Sequence, residues 1–301
     1  MVNALDSQTR RFLADLERIN EMIERAQGEI SSGRRVRTIS DAPDEISHLL
    51  ALRSDLNSIT QIKDNLGRVK TEVDTAETTL AHAVELLDRI QVLATQGASD
   101  LTDPAARRTL GGEVEQLAAR LVTLSNTQVE GRFLFSGDQD QSPAYTVDFS
   151  ADPPITPYLG SASTRQVQHP SGPRFPVART AEQIFDPADG SPSVFDSVLA
   201  VRTALLADDA EGVRTALQHV RAAATHLNSE LARYGGTQNQ VAEALEFASK
   251  QEVRLKGQIA EIEDADVAAA ILELRDGQFH QEAALAAQGS RPRRTLWDYL
   301  R

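Results

Sequence analysis

Apolar residues recur at steps of three and four along two stretches that flank a proline-rich centre. From Leu66 the first runs through Val69, Val73, Ala76, Leu80, Ala83, Leu87 and Ile90 to Ala94. The second runs through Val213, Leu217, Val220, Ala224, Leu227, Leu231 and Tyr234, then Val241, Leu245, Ala248, Leu255, Ile259, Ile262 and Ala269. This alternation draws one apolar stripe down one side of a helix, and such a stripe is stable only when buried against another helix. The N-terminal and C-terminal thirds are therefore expected to meet as a helical bundle, a rod rather than a pocket-bearing body.

Local signals set the expected boundaries. Phe12, Leu16, Ile19, Ile23, Ala26 and Ile30 predict a first helix over 10–31, closed by Gly33 as a left-handed cap. Ser40 or Asp41 can cap a second helix, with Pro43 at its first turn and Asp44 and Glu45 at the positive end of its dipole. That helix runs to about Gln96. Its step Ile59–Ile62–Leu66 reads as a local change of supercoil, not a break. Asp103-Pro104 starts a third helix, with Leu110, Val114, Leu117, Leu121 and Leu124 inward, ending near Gly131.

The pattern then changes. Nine of the twelve prolines lie between Pro143 and Pro192, and Phe133, Leu134, Phe135, Tyr145, Val147 and Phe149 are strand-like. Residues 132–185 are read as a small β-rich insertion with a modest core. Ser191-Pro192 opens a short helix to about Leu206. Asp208 and Asp209 cap a last long helix, which Gly235-Gly236 is expected to interrupt and Gly277 to loosen. The predicted fold is mainly α: a long antiparallel helical bundle or coiled coil from both chain ends, with a small β-rich central insertion. Its regions are 1–42 with 267–301 (terminal helices), 43–137 with 191–266 (rod) and 138–190 (insertion).

Charge and composition narrow the function. A formal charge of −13 argues against a nucleic-acid surface, which needs a basic face. Arg291, Arg293 and Arg294 form a compact basic cluster near the C-terminus, read as solvated. The chain has no cysteine, so thiolate metal sites, disulfides and cysteine nucleophiles are excluded. No run approaches the roughly 20 apolar residues of a membrane helix, so no membrane insertion is expected. The start carries no cleaved-signal pattern, so any export would use another route.

Candidate chemistry is sparse. Phosphate-loop, HExxH and GxSxG motifs are absent. His219 and His226 share a helix face two turns apart, too far for joint metal ligation. Asp138 and Asp140 lack the further ligands of a calcium loop. Glu261, Glu263, Asp264 and Asp266 read as a solvated face of a continuous helix. No catalytic, cofactor-binding or metal residue is assigned, and the chain is read as a non-enzyme. The ends are more informative. The first helix needs a partner, and the unmatched helix is the one beyond Asp266, which carries Leu285. Leu296, Trp297, Tyr299 and Leu300 follow at the terminus. Large apolar groups at chain ends suit surfaces that another subunit covers. Phe12, Leu16, Ile19, Ile23, Ile30, Leu285, Leu296, Trp297, Tyr299 and Leu300 are therefore the expected assembly or partner-binding residues.

Several segments resemble the flagellin superfamily of bacterial flagellar axial proteins. Ile30-Ser31-Ser32-Gly33-Arg34-Arg35-Val36 with Ser40-Asp41-Ala42-Pro43 is similar to its "ISSG-basic-basic-I … SDDP" segment. The likeness continues through Thr75–Gln96 and Ser125-Asn126-Thr127. It returns at Arg233-Tyr234-Gly235-Gly236-Thr237-Gln238-Asn239-Gln240 ("LGA..NRL") and at Ile262-Glu263-Asp264-Ala265-Asp266-Val267-Ala268 ("I.DADMA"). Gly131-Arg132-Phe133-Leu134-Phe135-Ser136-Gly137 and Thr295–Leu300 resemble the branch of hook–filament junction proteins (hook-associated protein 3). Met1–Arg11 departs from the start of either branch. The resemblance implies a structural adaptor in the extracellular flagellum, its terminal helices assembling into an inner coiled coil and 138–190 facing outward. It implies a ring of copies, with flagellin and hook-associated protein 1 as neighbours. It also implies a flagellar export chaperone and the type III export apparatus as partners. A filament flagellin is the nearer alternative, and a soluble coiled-coil signalling protein the distant one.

Overall fold

The computed structural model describes residues 7–38, 41–188 and 190–290. Its elements in order are α1 (Ser7–Ser32), α2 (Pro43–Gly97), α3 (Pro104–Ser125), β1 (Gln128–Val129), β2 (Arg132–Phe133), β3 (Gln166–Gln168), β4 (Arg174–Pro176), α4 (Ala181–Phe185), α5 (Val194–Leu206), α6 (Ala210–Glu263) and α7 (Val267–Gly289). The chain is mainly α, with two short antiparallel hairpins, β1–β2 and β3–β4. It divides into two compact units: Met1–Ser58 with Gln251–Arg301, and Ile59–Lys250.

In the first unit α1 pairs with α7, as the unmatched stripes required. Gln281 Nε2 donates to Asn20 Oδ1 at 2.7 Å, and a backbone bridge joins Arg34 to Asp264. One index rises as the other falls, so the two helices are antiparallel. Gly33 closes α1 at φ +68°, the left-handed cap that glycine adopts without strain. Pro43 begins α2, but Asp41 turns away from it. Asp41 Oδ2 accepts from the amides of Arg37 and Thr38 at 2.8 and 2.7 Å. Those amide bonds, Thr38 first, hold the Asp41 carboxyl below the usual carboxylate range. Ser40, the other capping candidate, lies outside the described residues.

In the second unit α2 and α6 run antiparallel. Gln238 reaches Asp74 at 3.0 Å, and Arg214 reaches the carbonyl of Ala98 at 3.2 Å. The apolar ladder is the core: Leu66, Leu80, Ala83, Leu87 and Ile90 of α2 are fully buried, as are Val213, Val220, Leu227 and Val241 of α6. The helix α2 is unbroken at Ile59–Ile62–Leu66. Helix α6 is equally unbroken at Gly235-Gly236, against expectation, because Tyr234, Val241 and Ala244 on either side are buried and fix the backbone. Helices α3 and α5 pair, with Arg202 on Glu115 at 2.6 Å.

The caps are mostly where the sequence puts them. Asp103 accepts from Ala106 N at 2.8 Å, and Asp209 from Gly212 N at 2.9 Å. The α5 cap is Ser193, two residues past the expected Ser191, accepting from Asp196 N at 3.1 Å. Helix α3 ends at Ser125, short of Gly131. Glu130 and Gly131, both at positive φ, form the two-residue turn joining β1 to β2.

The insertion does not keep a core of its own. Phe135, Tyr145, Ile155, Val167, Val177 and Phe185 belong to the same buried cluster as the helix ladders. Phe185 stacks on Phe195 of α5 at 5.5 Å, and Tyr145 meets Phe195 edge-on at 4.8 Å. Asn126, just past α3, ties the segment down. It accepts from the amides of Ala144 and Tyr145 and donates to the Tyr145 carbonyl at 2.7 Å.

Candidate assembly surfaces

Phe12, Leu16, Ile19, Ile23 and Ile30 lie on α1 and are all half-buried. At Gly277 of α7 a Cβ would stand 2.8 Å from Ile23 Cγ1 and 3.3 Å from Met22 Cε. Gly277 therefore does not loosen its helix; it lets the two backbones approach. Ala26 and Ala270, both buried, continue this small-residue seam. Leu285, near the end of α7, is 52% exposed. Leu296, Trp297, Tyr299 and Leu300 lie outside the described residues, as do Arg291, Arg293 and Arg294.

Pairing with α1 covers little of α7. Among its residues only Ala270 and Gly277 are buried, while Ile271, Leu272 and Phe279 join Leu285 as exposed apolar groups, Phe279 at 67%. Leu13 of α1 is exposed as well. Counting its alanines, apolar residues occur on every side of α7, with the large ones (Val267, Ile271, Leu272, Leu274, Phe279, Leu285) confined to about half of it. A helix apolar all round belongs in an interior. Ile271, Leu272 and Phe279 were not singled out in the sequence because no single stripe marks them.

At the base of this pair sits a polar clasp that the sequence did not announce. The helical run breaks at Asp264–Asp266, and Asp266 caps α7 by accepting from Ala268 N and Ala269 N, both at 3.0 Å. Arg35 N donates to the Glu263 carbonyl at 2.8 Å, and Ala265 N to the Gly33 carbonyl at 3.0 Å. The Glu263 side chain, 5% exposed, takes Arg34 at 2.9 Å and Arg53 at 2.8 Å. Arg35 bridges Glu45 at 2.7 Å and the Ile262 carbonyl at 2.9 Å. The acidic cluster is thus solvated only in part: Glu261, Asp264 and Asp266 are exposed, but Glu263 is a buried anchor and Asp266 also caps α7.

Among the other polar groups, Asp140, His226 and His169 have structural partners. Asp140 lies 3.7 Å from Arg132. His226 Nε2 lies 3.2 Å from the Gln183 carbonyl, and His169 Nδ1 2.6 Å from Ser171 Oγ. No cluster of three metal-ligating side chains occurs among the described residues, and no helix among them is long and apolar enough to cross a membrane. In the second unit, burial pushes the Tyr234 and Tyr158 hydroxyls up to about 12 and the Tyr145 hydroxyl further still.

Known proteins share this arrangement. Residues 3–140 match the bacterial flagellin N-terminal helical region and residues 217–290 the C-terminal helical region. Flagellin D of Rhizobium meliloti is 32% identical over 113 residues, 38% of this chain and 28% of that protein. The match thus spans under a third of the first such relatives' length. Flagellin FlaB1 of Treponema pallidum is 22% identical over 275 residues, 90% of each chain. The crystal structure of flagellar hook associated protein-3 from Legionella pneumophila superposes with a TM-score of 0.62 at 13% identity, over 70% of this chain and 98% of that one. That likeness is one of fold. With both helical regions matched over more than half its length, the chain belongs to the bacterial flagellin family of flagellar structural proteins.

Proposed function

We propose that this chain is a structural adaptor at the hook–filament junction. A ring of copies would join the hook-associated layer to the flagellin filament. The supporting observation is the shared fold with a hook-associated protein-3, almost the whole of which this chain covers. The segment Gly131–Gly137, with its β1–β2 turn, agrees with that branch. In this reading residues 1–42 and 267–301 are the assembly-dependent part, 43–137 with 191–266 the helical body, and 138–190 the outward segment. The contact residues are Phe12, Leu16, Ile19, Ile23, Ile30, Leu285, Leu296, Trp297, Tyr299 and Leu300, with Leu13, Ile271, Leu272 and Phe279 added by their exposure.

The neighbours in this reading are flagellin and hook-associated protein 1, with an export chaperone and the flagellar export apparatus acting earlier. The mature location is the extracellular flagellum, reached without a cleaved signal. The role is mechanical: helix packing between copies transmits torque from one polymer to the next. The second reading is a filament flagellin, favoured by the likeness to FlaB1 over 90% of both chains.

Deletion of the gene in its source bacterium separates the two. Electron microscopy of the hooks, with an assay of flagellin in the medium, is the readout. Bare hooks with released flagellin are expected for a junction adaptor. Shortened or altered filaments on intact hooks would instead favour the filament reading.

A further inference from the structure

A cleft of about 490 Å³ opens in the second unit beside α6. One wall is the apolar run from Phe175 to Ala178, and the floor is α6 from Arg233 through Tyr234, Gly236 and Thr237 to Gln240. Arg179 closes one end. The Glu230 carboxylate beneath, 2% exposed, accepts both Nε and Nη2 of Arg179 at 3.0 and 3.2 Å, and Arg233 Nε lies 3.4 Å away. Two guanidiniums thus share one carboxylate. The nearby Glu72 is likewise met by two, Arg165 at 2.8 Å and Arg132 at 3.5 Å, the latter also 3.7 Å from Asp140, so four guanidiniums stand against three carboxylates. In a chain of net charge −13 this side carries local positive charge, and the Arg233 side chain is 60% exposed.

Gly236 in the floor, like Gly235 beside it, has no internal reason. Glycine weakens a helix interior relative to alanine, yet a Cβ at Gly235 or Gly236 would meet nothing within 4 Å. Gly277 is the contrasting case, filled by Ile23. A bare helix backbone beside an open cleft lets an outside main chain approach closely.

We infer that this cleft receives a carboxylate-bearing segment of a second copy of the chain. The arginines supply charge complementarity. The apolar wall and glycine floor supply contact area that a free anion would leave unused. The contact is heterologous, cleft on one copy and acidic face on the next, so it repeats from copy to copy and closes into a ring only if the rotation allows. It rests on the chain being an assembling flagellar part, common to the adaptor and filament readings.

The absence of native cysteine makes the test clean. Gln240→Cys labelled with a benzophenone maleimide, irradiated at high protein concentration and low salt, should give a covalent dimer, its partner peptide acidic. Arg233→Glu and Gly236→Leu, each in the labelled chain and each folded by circular dichroism, should lower the dimer yield about tenfold. Leu101→Cys, at a residue 97% exposed, is the control. The proposal is overturned by a yield no higher than from Leu101→Cys, by a cross-link confined to one chain, or by full yield in Arg233→Glu. A cross-link that forms while gene deletion leaves flagella unaltered would retire the adaptor and filament readings and keep the contact between copies; bare hooks or altered filaments without a cross-link would retire only the cleft contact.

Discussion

The Arg53 guanidinium lies 2.8 Å from Oε2 of Glu263, across 210 positions of sequence. Arg53 is about half exposed while Glu263 is almost fully covered, so the carboxylate is the member that depends on the pair. Glu263→Ala returns two arginines to water and should cost about 1–2 kcal/mol, the range of solvent-facing charged hydrogen bonds. The loss should be local. Amide exchange is expected to accelerate through Gly33–Val36 and the start of α7, while the core of the second unit stays protected. Uniform protection in the variant would mean that the backbone bridge alone holds the base of the terminal pair.

Gly277→Val tests the seam between α1 and α7. The new side chain must displace Ile23, and overpacking of this kind costs about 1–3 kcal/mol. Limited proteolysis should then cut within α7 sooner than in the parent, with the helices of the second unit still resistant. An unchanged digestion pattern would show that α1 and α7 do not depend on close approach at this point.

Leu80→Glu and Leu285→Glu should behave oppositely. Leu80 is fully buried, and an unpaired carboxylate there should cost more than about 4 kcal/mol, enough to leave no cooperative thermal transition. Leu285 is half exposed, so Leu285→Glu should unfold like the parent yet fail to restore motility in a deletion strain. Normal motility from Leu285→Glu would remove Leu285 from the contact surface.

Alkaline pH should unfold the second unit through its tyrosines. Burial raises Tyr234 and Tyr158 to about 12 and Tyr145 further, whereas an unfolded tyrosine titrates near 10. Between these values the unfolded chain has released protons that the native chain retains, so stability falls as pH rises. Their contribution is complete below about 10 and shrinks from there toward 12. Absorbance at 295 nm should rise together with loss of helical ellipticity. Tyrosine ionisation completed well before helix loss would show that these hydroxyls titrate in the folded state.

Helices were legible in the sequence wherever one stripe met one partner, as in Val69–Ala94 and Val213–Tyr234. The antiparallel match of α1 with the helix beyond Asp266 followed from elimination of partners. Three features were not legible, each because its cause is distant in sequence. Gly235-Gly236 stays helical because buried neighbours on both sides override a local propensity. Glu263 looked solvated because its partners, Arg34 and Arg53, lie more than two hundred positions away. The insertion gave strand-like residues, but only its neighbours reveal that Phe135 and Phe185 complete the helical core. Among the proposed contact residues, Phe12–Ile30 stand out by their spacing. Phe279 and Leu272 do not, since a helix apolar on every side has no periodic signal to read.

The break between α6 and α7 is three residues long. The three residues are not helical, so they fix where α7 starts rather than carry its phase through from α6. Deleting Ala265 would put Asp266 where the amide bound to Gly33 now stands, so the cap of α7 and the bond to Gly33 could not both be kept and Gly277 would lose its place beside Ile23. Composition within the break is free to vary so long as Asp266 caps α7 and the 265 amide reaches Gly33. What the chain must keep at this point is a count of residues that no hydrophobic pattern records.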